Sequence, residues 1–229
     1  MYLYDILIAA LLGGVIVWDR SSFLLLASEP LIICSAAGAY CGNLEQGVAL
    51  GIWWQIIWMG ELPIGAAKIP DGASGALIST LIFLNLDNSF HQVRHITLTI
   101  SILVGIAAAY LGGEFISDKR RFNIRYMNLA GSYARAGKIK SLENMFFFGL
   151  AEQFLSSAVF TGAIYAAGYF MVKWTVPAIP PYWDGLFAYM NASLWGLLAA
   201  VMINQFFHRK TFPATIAGII AGTALVVFL

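Results

Sequence analysis

Residues 60–75, GELPIGAAKIPDGASG, place Glu61, Lys68 and Asp71, two prolines and four glycines between two runs almost free of charge, VALGIWWQIIWM and ALISTLIFLNL. Other polar residues stand alone in apolar context: Asp19, Gln55, Asn85, Glu114, Glu152, Gln153 and Asn204. Carboxylates and amides do two kinds of work in such surroundings. They hydrogen-bond solute hydroxyls in pairs, often with stacking from aromatic rings such as Trp53, Trp54 and Trp58. They also relay protons or cations. Basic residues are scarce in the apolar segments, so a neutral polar solute fits better than an anion.

Chemistry of other kinds is missing. His91 and His95 are spaced i, i+4, which on a helix puts both rings on one face, but two ligands do not make a metal site. Neither belongs to an H-E-x-x-H pattern, and no Walker loop, G-x-S-x-G or G-x-G-x-x-G is present; GIAAAYLGGEF lacks the last spacing. No catalytic residue, metal or cofactor is expected. Cys34 and Cys41 read as small apolar residues. The net charge of +1 gives no footprint for nucleic acid.

The elements that must hold these residues follow from composition. The chain has 229 residues, 60% hydrophobic and 11% charged. Soluble domains carry about 25% charged residues, so lipid is the expected solvent for most of this surface. Apolar segments fall at roughly 1–18, 30–59, 73–90, 95–116, 145–172, 185–207 and 212–229, each near the length that crosses a bilayer. The first carries Asp5 and no basic leader region, so it reads as a retained span. The expected fold is an all-α polytopic membrane protein of about 6–8 membrane segments, broken or re-entrant half-helices included.

Residues 117–140, SDKRRFNIRYMNLAGSYARAGKIK, hold over half of the basic residues. They read as a basic cytoplasmic linker between an N-terminal lobe (1–116) and a C-terminal lobe (141–229). Its cations either set topology or dock a cytoplasmic partner or anionic headgroups. WTVPAIPPYWDG, with three prolines and bracketing tryptophans, reads as an interfacial loop. Within 48–86 the apolar runs flanking the opening stretch are about a dozen residues each, long enough to reach the bilayer midplane. Gly/Pro-interrupted segments of this kind point to a binding site made of broken helices. An ordinary solvent-facing loop is the alternative.

Residues 29–80 resemble the membrane IIC component of mannose/fructose/sorbose-family phosphotransferase systems. The resemblance rests on PLI at Pro30–Ile32, GNLEQG at 42–47 and IGAAKIPDGA at 64–73, in the family's order and spacing. It implies a substrate-holding core domain beside a scaffold domain. The implied activity is sugar translocation, with no chemistry of the chain's own. The implied partners are a IID membrane subunit and cytoplasmic IIB and IIA proteins, IIB carrying the phosphohistidine. A homo-oligomer of the IIC–IID unit and a bacterial inner-membrane location go with them.

Carried onto this sequence, the motif's backbone residues are Pro30, Gly65, Ala66, Ala67 and Pro70. The implied substrate contacts are Gln55 and Asp71. Glu61 and Lys68 are extra charges in the same stretch that either contact substrate or pair with each other or with Asp71 to hold the broken helix. Trp54 is a candidate stacking ring, and Arg120, Arg121, Arg125 and Arg135 are the candidate partner-docking cations. Gln55 stands where mannose-type members often have Glu, and Pro63 where some have Asn. Both departures fall at the implied sugar site. Two rival readings remain at this stage: a non-transporting sensor or interaction subunit of the same fold, and the substrate-binding membrane subunit of another importer.

Overall fold

The computed structural model describes residues 3–59, 69–206 and Pro213. Among them all regular structure is helical: α1 (Leu3–Trp18), α2 (Pro30–Tyr40), α3 (Leu44–Trp58), α4 (Gly72–Asp87), α5 (Arg94–Arg135), α6 (Ile139–Thr175) and α7 (Asp184–Phe206). The segment expected to carry Glu61, Gly65, Ala66, Ala67 and Lys68 lies outside the described residues.

The single apolar segment expected over 30–59 is two helices. Pro30 opens α2 at a position where its missing N–H costs nothing. Gly42, at φ 74°, turns the chain in the left-handed region that glycine enters freely. Asn43 then caps α3, its side chain accepting from the Gln46 N–H at 3.2 Å. The hairpin closes tightly because Gly38 and Gly47 meet back to back, a Cβ on Gly38 falling 2.7 Å from the Gly47 Cα. With 11 and 15 residues, α2 and α3 reach about 16 and 22 Å at 1.5 Å per residue. Neither covers a hydrocarbon core about 30 Å thick.

Helix α4 is the core. Every residue from Gly72 to Leu84 is buried, as expected of a helix apolar all round. Gly75 lies against the backbone of α5, where a Cβ would meet the Gly105 carbonyl oxygen at 2.4 Å. On the other side of the bundle, Gly13 and Gly14 of α1 receive Thr161 and Phe154 of α6. The Ser157 hydroxyl donates to the Gly13 carbonyl at 3.0 Å. Small residues here do what they do in lipid generally, letting backbones approach where apolar side chains gain little by leaving the acyl chains.

Helices α5 and α6 have 42 and 37 residues, about 63 and 55 Å, nearly twice the hydrocarbon thickness. Residues 117–135, expected as a linker, continue α5 without a break, and Gly137 at φ 67° turns the chain into α6. Residues 91–93 form a short 3-10 turn ahead of α5, so His91 and His95 do not share one helix. Helix α7 is tied to α5 by Asp184, which accepts from the Ile96 N–H at 3.0 Å, and by Asn191, which accepts from Thr99 at 2.9 Å. Among the described residues, four helical stretches are long and apolar enough to cross a membrane: Leu3–Phe23, His91–Arg135, Ile139–Ala178 and Pro181–Ile203. The shorter α2, α3 and α4 pack among them.

The glycine seams carry a direct test. Gly75→Ala drives a methyl group into a backbone carbonyl and should destabilise the protein by about 1–3 kcal/mol. Gly131→Ala, with open space around its Cβ site, should be neutral or stabilise by about 0.5–1 kcal/mol. Thermal unfolding of the two purified variants in detergent, against the wild type, checks both signs.

Candidate functional site

The broken ends of the short helices converge. The N-termini of α2 and α4, the C-terminus of α3, the turn after α1 and the middle of α5 and α6 surround a cavity of about 760 Å³. That volume suits a small-molecule site. Its lower wall is built around Asp71, which is 3% exposed.

Asp71 is the N-cap of α4. Its side chain accepts from the Ser74 N–H at 3.4 Å and from the Ser74 hydroxyl at 2.5 Å. Its own N–H donates to the Ala109 carbonyl at 2.7 Å. Arg20 reaches from the turn after α1 to Asp71 Oδ1 at 2.5 Å. The neighbouring Asp19 holds that turn by accepting from the Leu25 and Ser28 N–H groups, at 2.6 and 2.9 Å, and from the Ser28 hydroxyl at 2.8 Å. Close approach to α5 depends on Gly112 and Gly113: a Cβ on the first would sit 2.8 Å from the Asp71 Cβ, and on the second 2.6 Å from the Ile69 carbonyl oxygen. The GG of YLGGEF, which matches no nucleotide motif, is a seat for the chain entering α4.

On the opposite wall Gln55 joins α3 to the start of α2. Its Nε2 donates to Glu29 Oε2 at 2.6 Å and its Oε1 accepts from the Leu31 N–H at 3.2 Å. Glu29, Pro30 and Gln55 all line the cavity. Trp58 lines it as well, stacked on Trp54 with centroids 6.2 Å apart and planes 4° from parallel. Trp54 is fully buried beneath Trp58 and does not reach the cavity. Two buried polar atoms of lining residues, Trp58 Nε1 and Gln153 Oε1, have no hydrogen-bond partner among the described residues.

The residues expected to act together are thus partly brought together. Gln55 and Pro70 line the cavity, while Asp71 sits directly behind its wall as the hub that holds Arg20 there. Of the four expected docking cations, Arg120 turns into the cavity. Arg121 pairs with Asp118 at 3.6 Å, Arg125 lies over the Phe122 ring at 5.6 Å, and Arg135 is exposed at the end of α5. Arg20, Glu29 and Asn123 were not singled out by sequence reasoning. An acid immediately before Pro30 and a lone cation just beyond the first apolar run were the available signals.

The described residues thus form an all-helical, multi-pass membrane bundle with a cavity where its short helices end. The family model described as the PTS system sorbose-specific IIC component matches residues 3–228, and the chain belongs to that family. It is 28% identical over 150 residues to the fructose permease IIC component of Bacillus subtilis (strain 168), a match covering 66% of this chain and 51% of that protein. The chain spans about half the length of the first curated relatives it matches. In fold it resembles a solved structure described as a membrane protein, with a TM-score of 0.73 and 19% identity over 100% of this chain and 92% of the other. It also resembles the cryo-EM structure of the mannose transporter ManYZ with microcin E492, with a TM-score of 0.53 and 17% identity over 97% of this chain and 87% of the other.

The Arg20–Asp71 pair should behave as a unit. Arg20→Gln and Asp71→Asn should each lower the unfolding temperature, and the double variant should lose less than the sum of the two. A double-mutant cycle by thermal unfolding should return a coupling of about 1 kcal/mol or more. Strict additivity would mean the two side chains do not support each other.

Proposed function

We propose that this chain is the sugar-binding and sugar-translocating IIC subunit of a bacterial phosphotransferase system, with uptake coupled to phosphorylation by a separate IIB protein. The observation that carries the reading is the hydrogen-bonded Glu29–Gln55 pair on the wall of a cavity that Trp58 and Gln153 also line. A carboxylate and amides on the wall match the alternating donors and acceptors of adjacent hydroxyls, and the Trp58 ring offers an apolar face for a pyranose or furanose ring. Membership of the sorbose-specific IIC family supports the solute class, and the fructose permease relative supports a ketohexose as one substrate to try first.

In this reading the chain supplies the binding site and the passage, and the phosphoryl group comes from elsewhere. The donor's phosphohistidine N–P bond breaks as an O–P bond forms on a sugar hydroxyl, and the hydroxyl proton ends on the freed imidazole. The basic residues of 117–140 then mark the cytoplasmic side by the positive-inside rule, and the surrounding bilayer is the bacterial inner membrane. Because the cavity borders the start of that basic stretch on α5, its mouth would lie toward the side where IIB and IIA work. Arg121, Arg125 and Arg135 suit docking of such a partner. The likeness to the ManYZ structure supports a second membrane chain, a IID subunit, as partner, and an oligomer of the IIC–IID unit.

The test is binding of free hexoses to the purified chain, alone and with its IID partner, read as ligand-induced thermal stabilisation. At least one hexose should stabilise the wild type. Gln55→Ala should weaken that binding by about tenfold, the loss of one charge-assisted hydrogen bond and its orientation. A panel of hexoses without effect in either form, or Gln55→Ala binding as well as wild type, would remove the sugar site from this cavity.

A further inference from the structure

One cation on the cavity wall has no task in holding the fold or a neutral sugar. Three cations line the cavity, Arg20, Lys119 and Arg120, against one acid, Glu29. Two of the three are already matched from behind the wall. Arg20 holds Asp71, and Lys119 holds Glu152 of α6. Arg120 is exposed and has no acid within ion-pair distance among the described residues. Its neighbour Arg121 points elsewhere, to Asp118.

The spacing explains why Arg120 faces inward. Phe115, Ile116, Lys119, Arg120 and Asn123 are the α5 residues on the cavity, and separations of three, four and seven share one helix face. Asn123 therefore stands one turn beyond Arg120 on the same wall and adds an amide donor. A guanidinium presents a planar fork of N–H donors suited to an oxyanion and stays charged at any physiological pH. The N-termini of α2 and α4 at the same cavity contribute positive dipole ends.

We propose that Arg120, with Asn123, forms an anion subsite that receives a phosphoryl group in the same cavity that holds the sugar. The subsite rests on the sugar-binding reading for its second half: Glu29 and Gln55 take the hydroxyls, and Arg120 takes the phosphate of the phosphorylated sugar before it leaves. A phosphate monoester carries about −1.5 to −2 charges at pH 7, part of which the Arg120 guanidinium offsets. The chain thus holds product as well as substrate, and Arg120 separates the two by charge.

The experiment compares free fructose, fructose 1-phosphate, inorganic phosphate and phosphoramidate, the last a small stand-in for a phosphohistidine donor, on the purified chain with its IID partner. Calorimetric titration at low and moderate salt gives the affinities. The sugar phosphate should bind the wild type, more weakly as salt rises. Arg120→Gln should weaken it about tenfold or more while changing free fructose by less than twofold, and Arg120→Lys should restore part of the loss. Arg135→Gln, which removes the same charge far along α5, should leave both ligands unchanged.

Equal loss of fructose and fructose 1-phosphate in Arg120→Gln would overturn the subsite, because Arg120 would then support the sugar site as a whole. No change in either would overturn it too, as would a wild type that binds fructose and none of the phosphates. Phosphate or phosphoramidate binding that depends on Arg120, with no response to the sugar or its phosphate, would keep an anion site for the donor and overturn the proposal that product is held here. Silence from all four ligands counts against both the subsite and the sugar reading.

Discussion

A helix that ends inside a bilayer leaves unpaired N–H and C=O groups where no water is at hand, and this fold is arranged around that constraint. Asp71 is where it is met most completely. One carboxylate caps α4 through Ser74, receives Arg20 from the turn after α1, and has its own N–H bonded to the α5 carbonyl of Ala109. Three parts of the chain are thereby joined at one buried residue. Remove the side chain and Arg20 loses its partner, the N-terminus of α4 loses its cap, and the cavity wall loses the group that positions it.

The same constraint explains the pattern of glycines. Backbone polar groups can meet across helices only if the helices come very close, and Gly38, Gly47, Gly75, Gly105, Gly112 and Gly113 permit it. Dense seams on one side leave the opposite ends of α2, α3 and α4 to gather around empty space. The cavity is then a by-product of the packing: short helices end against one another, and their polar ends face a common volume. Glu29 and Gln55 illustrate this, since each satisfies a helix end and lines the cavity at once.

The long helices do a different job. A pair about twice as long as the bilayer is thick has room for a basic surface beyond its apolar stretch, and the first turns of that surface border the cavity. Lys119, Arg120 and Asn123 therefore belong to the site, and Arg121, Arg125 and Arg135 to the projecting arm. A boundary drawn in sequence at residue 117 divides what the helix keeps continuous. The positive side of the cavity was hidden for that reason: its cations stand in a stretch whose composition reads as solvent-exposed linker.

By itself the sequence determined the solvent, the all-helical class and the family. Those depend on composition, on segment length against bilayer thickness, and on the ordered PLI, GNLEQG and IPDGA motifs, all of which are local. It also marked Gln55 and Asp71 as polar residues out of place in apolar surroundings, and Cβ-free positions such as Gly112 and Gly113 without a reason for them. Only the tertiary structure decided which polar residues share a volume. Trp58 and not Trp54 reaches the cavity because one ring covers the other, a matter of helix rotation against α4 and α5 that near-uniform hydrophobicity does not encode. Arg20, Glu29 and Arg120 meet there because helix ends from distant parts of the chain must satisfy one another in a medium that offers no water.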